Sequence, residues 1–303
     1  MGFLDRLTGG EDGDDAAQAQ REASIAAVEA GGLPLNAQRR LRELAADAGT
    51  LFTSDLSVNA FALSRELELE PVCQVMGSSI YKMGWQAQGW STGVLQTQTD
   101  ALNRARALAL GRLRQEAELA GAHAVVGVTI TRGAHDFVAD GIEFMAVGTA
   151  VRVPGGRVGG AGSPPVLTDL SLADYTKLHH SGHAPVGVVA ASTVYYIVAS
   201  WNTRRAQGGW FGGRNNQELT DFTQGVYTAR ELALATLQAQ AQQLACDGIV
   251  GVGIEHEIRT HEVGSENNKR EDLIVTFHLV GTAIRATSAR ALPVHPTISQ
   301  GAP

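Results

Sequence analysis

Two stretches of the chain place apolar residues at three- and four-residue spacing for more than five turns, Thr99–Ala120 and Thr220–Ala245. That period predicts two long helices with one apolar face each. Asp100 and Arg104 form an i,i+4 pair on the first, and Gly121 stands where a helix stop belongs. Ahead of each helix lies a run rich in β-branched and aromatic residues, Val72–Tyr81 and Val186–Val198, which predicts a strand. Behind the first helix follow "AVVGVTI" (124–130) and "AVGTAVRV" (146–153); behind the second follow "GIVGVGI" (248–254) and "LVGTAIRA" (279–286). The order strand, loop, long helix, strand, loop, strand is therefore written twice.

The two halves match in residues as well as in pattern. "ARALALGRL" (105–113) and "ARELALATL" (229–237) agree at six of nine positions. The offset between the halves is about 114 at the first strands, 124 through the helices and 133 at the last strands. The second half thus carries about ten extra residues in one loop and nine in another, and loops are where length changes are cheap. The expectation is an α+β chain of two tandem domains, 68–153 and 183–287, preceded by a helical region over 21–67. Gly148 and Gly281 fall mid-strand, where glycine marks a bulge or a close backbone approach.

Outside the repeats, "MGFLDRLTGG" predicts two turns of helix with Met1, Phe3, Leu4 and Leu7 on one face, stopped by Gly9 and Gly10. With the acidic spacer "EDGDD" it makes a leader over 1–20, suited either to docking a protein or membrane surface through residues 1–10 or to a frayed terminus. Arg6 breaks the N-myristoylation pattern. Residues 16–30 and 36–48 read as helices parted by "GGLP". Residues 154–182, opening with "PGGRVGGAGSPP", read as a linker, and 288–303 as a tail.

Composition narrows the function classes. A net charge of −7 argues against a nucleic-acid partner, whose footprint is basic. Two cysteines, Cys73 and Cys246, build no disulfide framework, and no apolar run reaches membrane-spanning length. The expectation is a reduced, cytoplasmic protein.

"AGAHAVVGVTI" with "AVGTAVRV", and "ACDGIVGVGI" with "LVGTAIRA", resemble the YbjQ-type family, whose label is heavy-metal binding. "GGR" (212–214) before the second helix also matches; the first half lacks it and places His123 where that family has Asn. The resemblance covers both halves and leaves residues 1–67 unexplained. It implies a small α+β subunit similar to dodecin, assembling as a homo-pentamer, and it implies no activity.

Candidate chemistry is sparse. His179, His180 and His183 are the one dense group of soft-metal donors, suited to a divalent transition metal or else to a solvated linker. No nucleophile elbow, phosphate loop or metalloprotease helix is present, so no catalytic residue is assigned and no cofactor is expected. Arg106 and Arg230 hold the same helical position in the two halves, facing either an interface or solvent. All four tryptophans precede the long helices: Trp85 and Trp90, then Trp201 and Trp210. With Phe211 and Arg214 they suggest an aromatic contact with a neighbouring subunit or a flat ligand, the alternative being a lid on each core. The function these features favour is a non-enzymatic, self-assembling scaffold. The alternatives are a metal-binding protein or a binder of small ligands between subunits.

Overall fold

A computed structural model of the chain describes residues 5–46, 51–84, 91–135, 141–153, 162–207, 216–264 and 269–287. The fold is α+β, with two four-stranded sheets and a helical N-terminal segment. By spatial contact it divides into two compact units, one of 1–79, 107–131 and 144–166, the other of 80–106, 132–143 and 167–303. These boundaries cut through the long helix and the strands of the first repeat instead of following the sequence halves.

The N-terminal segment begins with α1 (Asp5–Glu29) and α2 (Leu35–Ala46). The turn between them uses Gly31 at φ 84°, whose N–H and that of Gly32 return to Val28 O and Ala27 O. The leader expected to stop at Gly9 and Gly10 does not stop there, nor is "EDGDD" a spacer: α1 runs through both. Each glycine costs a helix about 1 kcal/mol, but extending one already nucleated over the Ala-rich residues that follow costs far less than starting a new one. Residues 1–4 lie outside the described residues.

The first sheet has the order β1 (Glu70–Lys82), β4 (Gly141–Arg152), β3 (Ala124–His135), β5 (Val166–Leu167). Helix α4 (Gln96–Leu119) comes so close to β1 that Gly77 has no room for a Cβ. Arg112 joins the strand to the N-terminal turn, donating to Ser78 O at 2.6 Å, Val28 O at 3.0 Å and Gly32 O at 3.1 Å. Glu116, buried beside them, accepts from Met76 N at 2.9 Å.

The second sheet has the order β2 (Gly93–Val94), β6 (His183–Ile197), β8 (Arg270–Ala286), β7 (Gly248–Val263). Helix α7 (Thr220–Gln243) packs its Phe222, Ala229, Ala233, Leu237 and Ala241 stripe against Val189, Ala191, Val275 and Leu279. Small residues on the stripe let the helix axis approach the sheet closely, and apolar burial of this kind contributes about 25 cal/mol per Å².

The segment 154–182 is not a linker throughout. Its residues 154–161 lie outside the described ones, but β5 and helix α5 (Leu172–His180) follow. Ser171 caps α5, and Ser57 caps α3 (Val58–Glu66) in the same way, each hydroxyl accepting a backbone N–H three residues on at 3.2 Å. Trp201 opens α6 (Trp201–Gln207), where a loop is expected.

Corresponding positions of the sequence repeat adopt the same local geometry. Gly127 and Gly251 both have left-handed φ, 64° and 66°. A Cβ on Gly148 would lie 2.7 Å from Val125 Cγ1 and 3.1 Å from Val126 O; on Gly281, 3.0 Å from Ile249 Cγ2 and 3.2 Å from Val250 O. The next residue, Thr149 or Thr282, is buried and donates its hydroxyl to Asp55 or Asp169, whose own N–H returns to that hydroxyl. His123 Nδ1 accepts Val153 N at 3.1 Å, as Asp247 accepts Ala286 N at 2.6 Å. The Gly-Thr pair thus serves close strand approach and anchoring of an upstream turn.

Candidate functional site

The outer edge of β6 carries the most elaborate polar construction among the described residues. An open strand edge exposes N–H and C=O groups that must be satisfied. Strand β2 covers the end of this edge, pairing Gly93 with Tyr196 and Val94 with Tyr195. Beyond it the helix takes over. Leu95 N donates to Val194 O at 2.9 Å, and Val194 N donates to Thr99 Oγ1 at 3.0 Å. Asn103 Nδ2 donates to Ser192 O at 2.8 Å while Ser192 N donates to Asn103 Oδ1 at 2.9 Å. Arg106 donates to Ala190 O at 2.9 Å, to Ser192 Oγ and to Asn103 Oδ1. Residues 99, 103 and 106 occupy one helical face by their spacing, so α4 lies along β6 as a substitute strand made of side chains.

Arg106 is 3% exposed, and burial pulls its guanidinium down to about 10, still a cation at neutral pH. From Ser192 the network reaches His278 on β8, with 2.7 Å between Ser192 Oγ and His278 Nδ1. The other ring nitrogen, Nε2, meets an Arg132 N–H. Arginine only donates, so Nε2 is the acceptor and Nδ1 carries the proton that goes to Ser192. Arg132 pairs in turn with Glu257 at 3.2 Å, and Glu257 with Arg259 at 2.6 Å.

A serine hydroxyl beside an imidazole is the arrangement of a nucleophile and its base, but this one cannot act so. Burial first, then the charges of Arg132 and Arg106, pull the His278 pKa down to about 3, whereas a general base works near the operating pH. The side chain behind the imidazole is a cation, not an orienting carboxylate.

The same shift sets a pH dependence. His278 is neutral in the fold and protonates near pH 6.5 in the unfolded chain, so its contribution is complete above that pH and lost as pH falls toward 3. At pH 5 the expected loss is about 2 kcal/mol. Urea denaturation of wild type and His278→Met at pH 7 and pH 5 checks it: the drop in stability is expected to be about 2 kcal/mol smaller in the variant. Equal drops would show that His278 is not held neutral.

Of the residues the sequence singles out, Trp85, Trp90, Trp210, Phe211 and Arg214 lie outside the described residues. Trp201 is 65% exposed, with the Arg205 guanidinium 5.5 Å from its ring centroid. Arg230, the counterpart of Arg106, is half-exposed and pairs with Glu231 at 3.2 Å. The structure thus separates two arginines that the sequence treats alike. His179 and His180 end α5 with ring centroids 6.2 Å apart, and His183 Nδ1 lies 3.0 Å from Ser181 O and 3.1 Å from Ser181 Oγ. Among the described residues no three His, Cys, Asp or Glu side chains converge as metal ligands. Cys73 is buried, and burial pushes its thiol up to about 11, which disfavours the thiolate a metal needs. The sequence does not single out Thr99, Asn103, Ser192 or His278; the polar i, i+4, i+7 stripe ending at Arg106 is the signal that marks Thr99 and Asn103, and Ser192 and His278 carry no such signal.

Comparison with known proteins places the chain. The encapsulin nanocompartment protein Rv1762c of Mycobacterium tuberculosis is 36% identical over 246 residues, 78% of this chain and 87% of that protein. The chain belongs to the same family. Residues 74–154 match the YbjQ-type family model described as "Putative heavy-metal-binding", spanning most of β1, then α4, β3 and β4. No solved structure matches. Among the described residues no helix is long and apolar enough to cross a membrane.

Proposed function

We propose that the chain is a non-enzymatic, self-assembling cytoplasmic protein, a homo-oligomeric building block made of two tandem YbjQ-like domains. The observation that carries this reading is the 36% identity across 87% of a protein named for a nanocompartment. The paired geometries at Gly127 and Gly251, at Gly148 and Gly281, and at Thr149 and Thr282 support two copies of one domain. They also favour a start for each copy further upstream, at the turns holding Asp55 and Asp169. Apolar side chains left in solvent on the end strand β7, Val252, Ile254 and Ile258, suit a surface that another subunit covers. Five-fold closure is the symmetry the family resemblance favours. Native mass spectrometry and light scattering test it. An oligomer of defined mass, five chains or a multiple of five, is expected; a 31.9 kDa monomer at micromolar concentration would refute self-assembly.

A further inference from the structure

We infer that the outer edge of β1 receives helix α7 of a second copy of this chain, so that copies join head to tail; this deepens the self-assembly reading and rests on it. The template is the closure of β6 by Leu95, Thr99, Asn103 and Arg106. Both of its surfaces recur. β1 corresponds to β6 at an offset of 114, with Ile80 standing for Val194 and Met76 for Ala190. It is the end strand of its sheet, and among the described residues no strand pairs with its outer side, where its own helix α4 already supplies Glu116 to Met76 N and Arg112 to Ser78 O, much as α7 supplies Gln240 to Ala190 N on β6. α7 corresponds to α4 at an offset of 124, with Leu219, Thr223 and Arg230 standing for Leu95, Thr99 and Arg106.

Burial shows which closure has been made and which has not. Val194 and Ala190 are each 5% exposed, whereas Ile80 is 55% and Met76 46% exposed. On the helix, Arg106 is buried, whereas Tyr227, standing for Asn103, is 62% exposed and Arg230 half-exposed. The chain thus presents one apolar strand edge and one matching helix face, each equivalent to a partner already joined elsewhere in it. The docking places Leu219 N on Ile80 O, Thr223 Oγ1 under Ile80 N and Arg230 at Met76 O, and buries Tyr227 over the strand. The two surfaces differ, so the contact is heterologous, and repeated copies generate a ring when the rotation closes.

The test uses full-length chains. Ile80→Asp puts a charge where the docked helix would bury an apolar side chain, and Tyr227→Asp/Arg230→Glu does the same to the helix face; all three positions are substantially exposed, so melting curves close to wild type are expected. Each variant alone is expected to associate at least about thirtyfold more weakly than wild type, as for loss of a central aromatic contact. Mixed in equal amounts, they are expected to give a two-chain species and nothing larger, because one edge and one face remain. A wild-type monomer would defeat the self-assembly reading itself. Variants that assemble like wild type, or a mixture without the two-chain species, would leave that reading standing and overturn this interface. Should Ile80→Asp fail to fold, Ile80→Cys/Thr223→Cys in a Cys246→Ser background decides: covalent multimers on oxidation support the interface, and their absence overturns it.

Discussion

Replacing Gly77 by alanine is expected to destabilise the protein by at least about 4 kcal/mol, among the largest effects a single methyl group produces. A Cβ at this position would lie 2.0 Å from Ala109 O and 2.5 Å from Leu113 N, both backbone atoms of α4. Backbone cannot rotate aside as a side chain does, so relief requires lifting the helix off β1. That motion would also pull Glu116 from Met76 N and Arg112 from Ser78 O. The melting temperature is expected to fall by roughly 8–16 °C for a chain of this size. Gly111 supplies the control within the same helix. Nothing lies within 4 Å of its added Cβ, so Gly111→Ala should gain up to about 1 kcal/mol through helix propensity. Opposite signs for the two substitutions in thermal melts are the expected outcome; a Gly77→Ala chain as stable as wild type would mean that the helix does not cross there.

Elements governed by strong periodicity were legible from sequence. α4 and α7 lie within three residues of their expected ends, because more than five turns of one apolar face leave little choice of conformation. α3, α5 and α6 were not. Each is nine residues or fewer, too short for a clear stripe, and in α3 and α5 a serine cap supplies much of the local signal. The Asp-Leu-Ser triplets at 55–57 and 169–171 are each tied by a hydrogen bond from a threonine 94 or 113 residues away. Sequence shows the threonine and the aspartate, but only folding shows that they meet. The helix stop expected at Gly9 and Gly10 is absent for a related reason: glycines stop a helix when the chain beyond them has somewhere else to go, and here α1 continues.

Arg106 and Arg230 show most sharply what sequence leaves undecided, and they carry the last prediction. They share the local motif Ala-Arg, the same place on the helix and the same charge, yet one is 3% exposed and the other half-exposed. The difference lies in what stands opposite: Ser192 Oγ, Asn103 Oδ1 and the Ala190 carbonyl converge on Arg106. Arg106→Ala would strip a donor from acceptors that remain buried and leave a void where the guanidinium sat, at an expected cost of about 3–5 kcal/mol. Arg106→Lys should rescue little, since one ammonium cannot reproduce the planar fork that spans these acceptors. Arg230→Ala should change the stability of the folded chain by less than about 0.5 kcal/mol, as an exposed substitution does. Its effect belongs to the association of chains instead. Urea denaturation at a concentration where the chains are dissociated, set beside native mass at higher concentration, separates the two quantities. Arg106→Ala is expected to move the first strongly and Arg230→Ala only the second. Equal losses of folding stability would mean that the closure of β6 by α4 does not hold the fold as its geometry indicates.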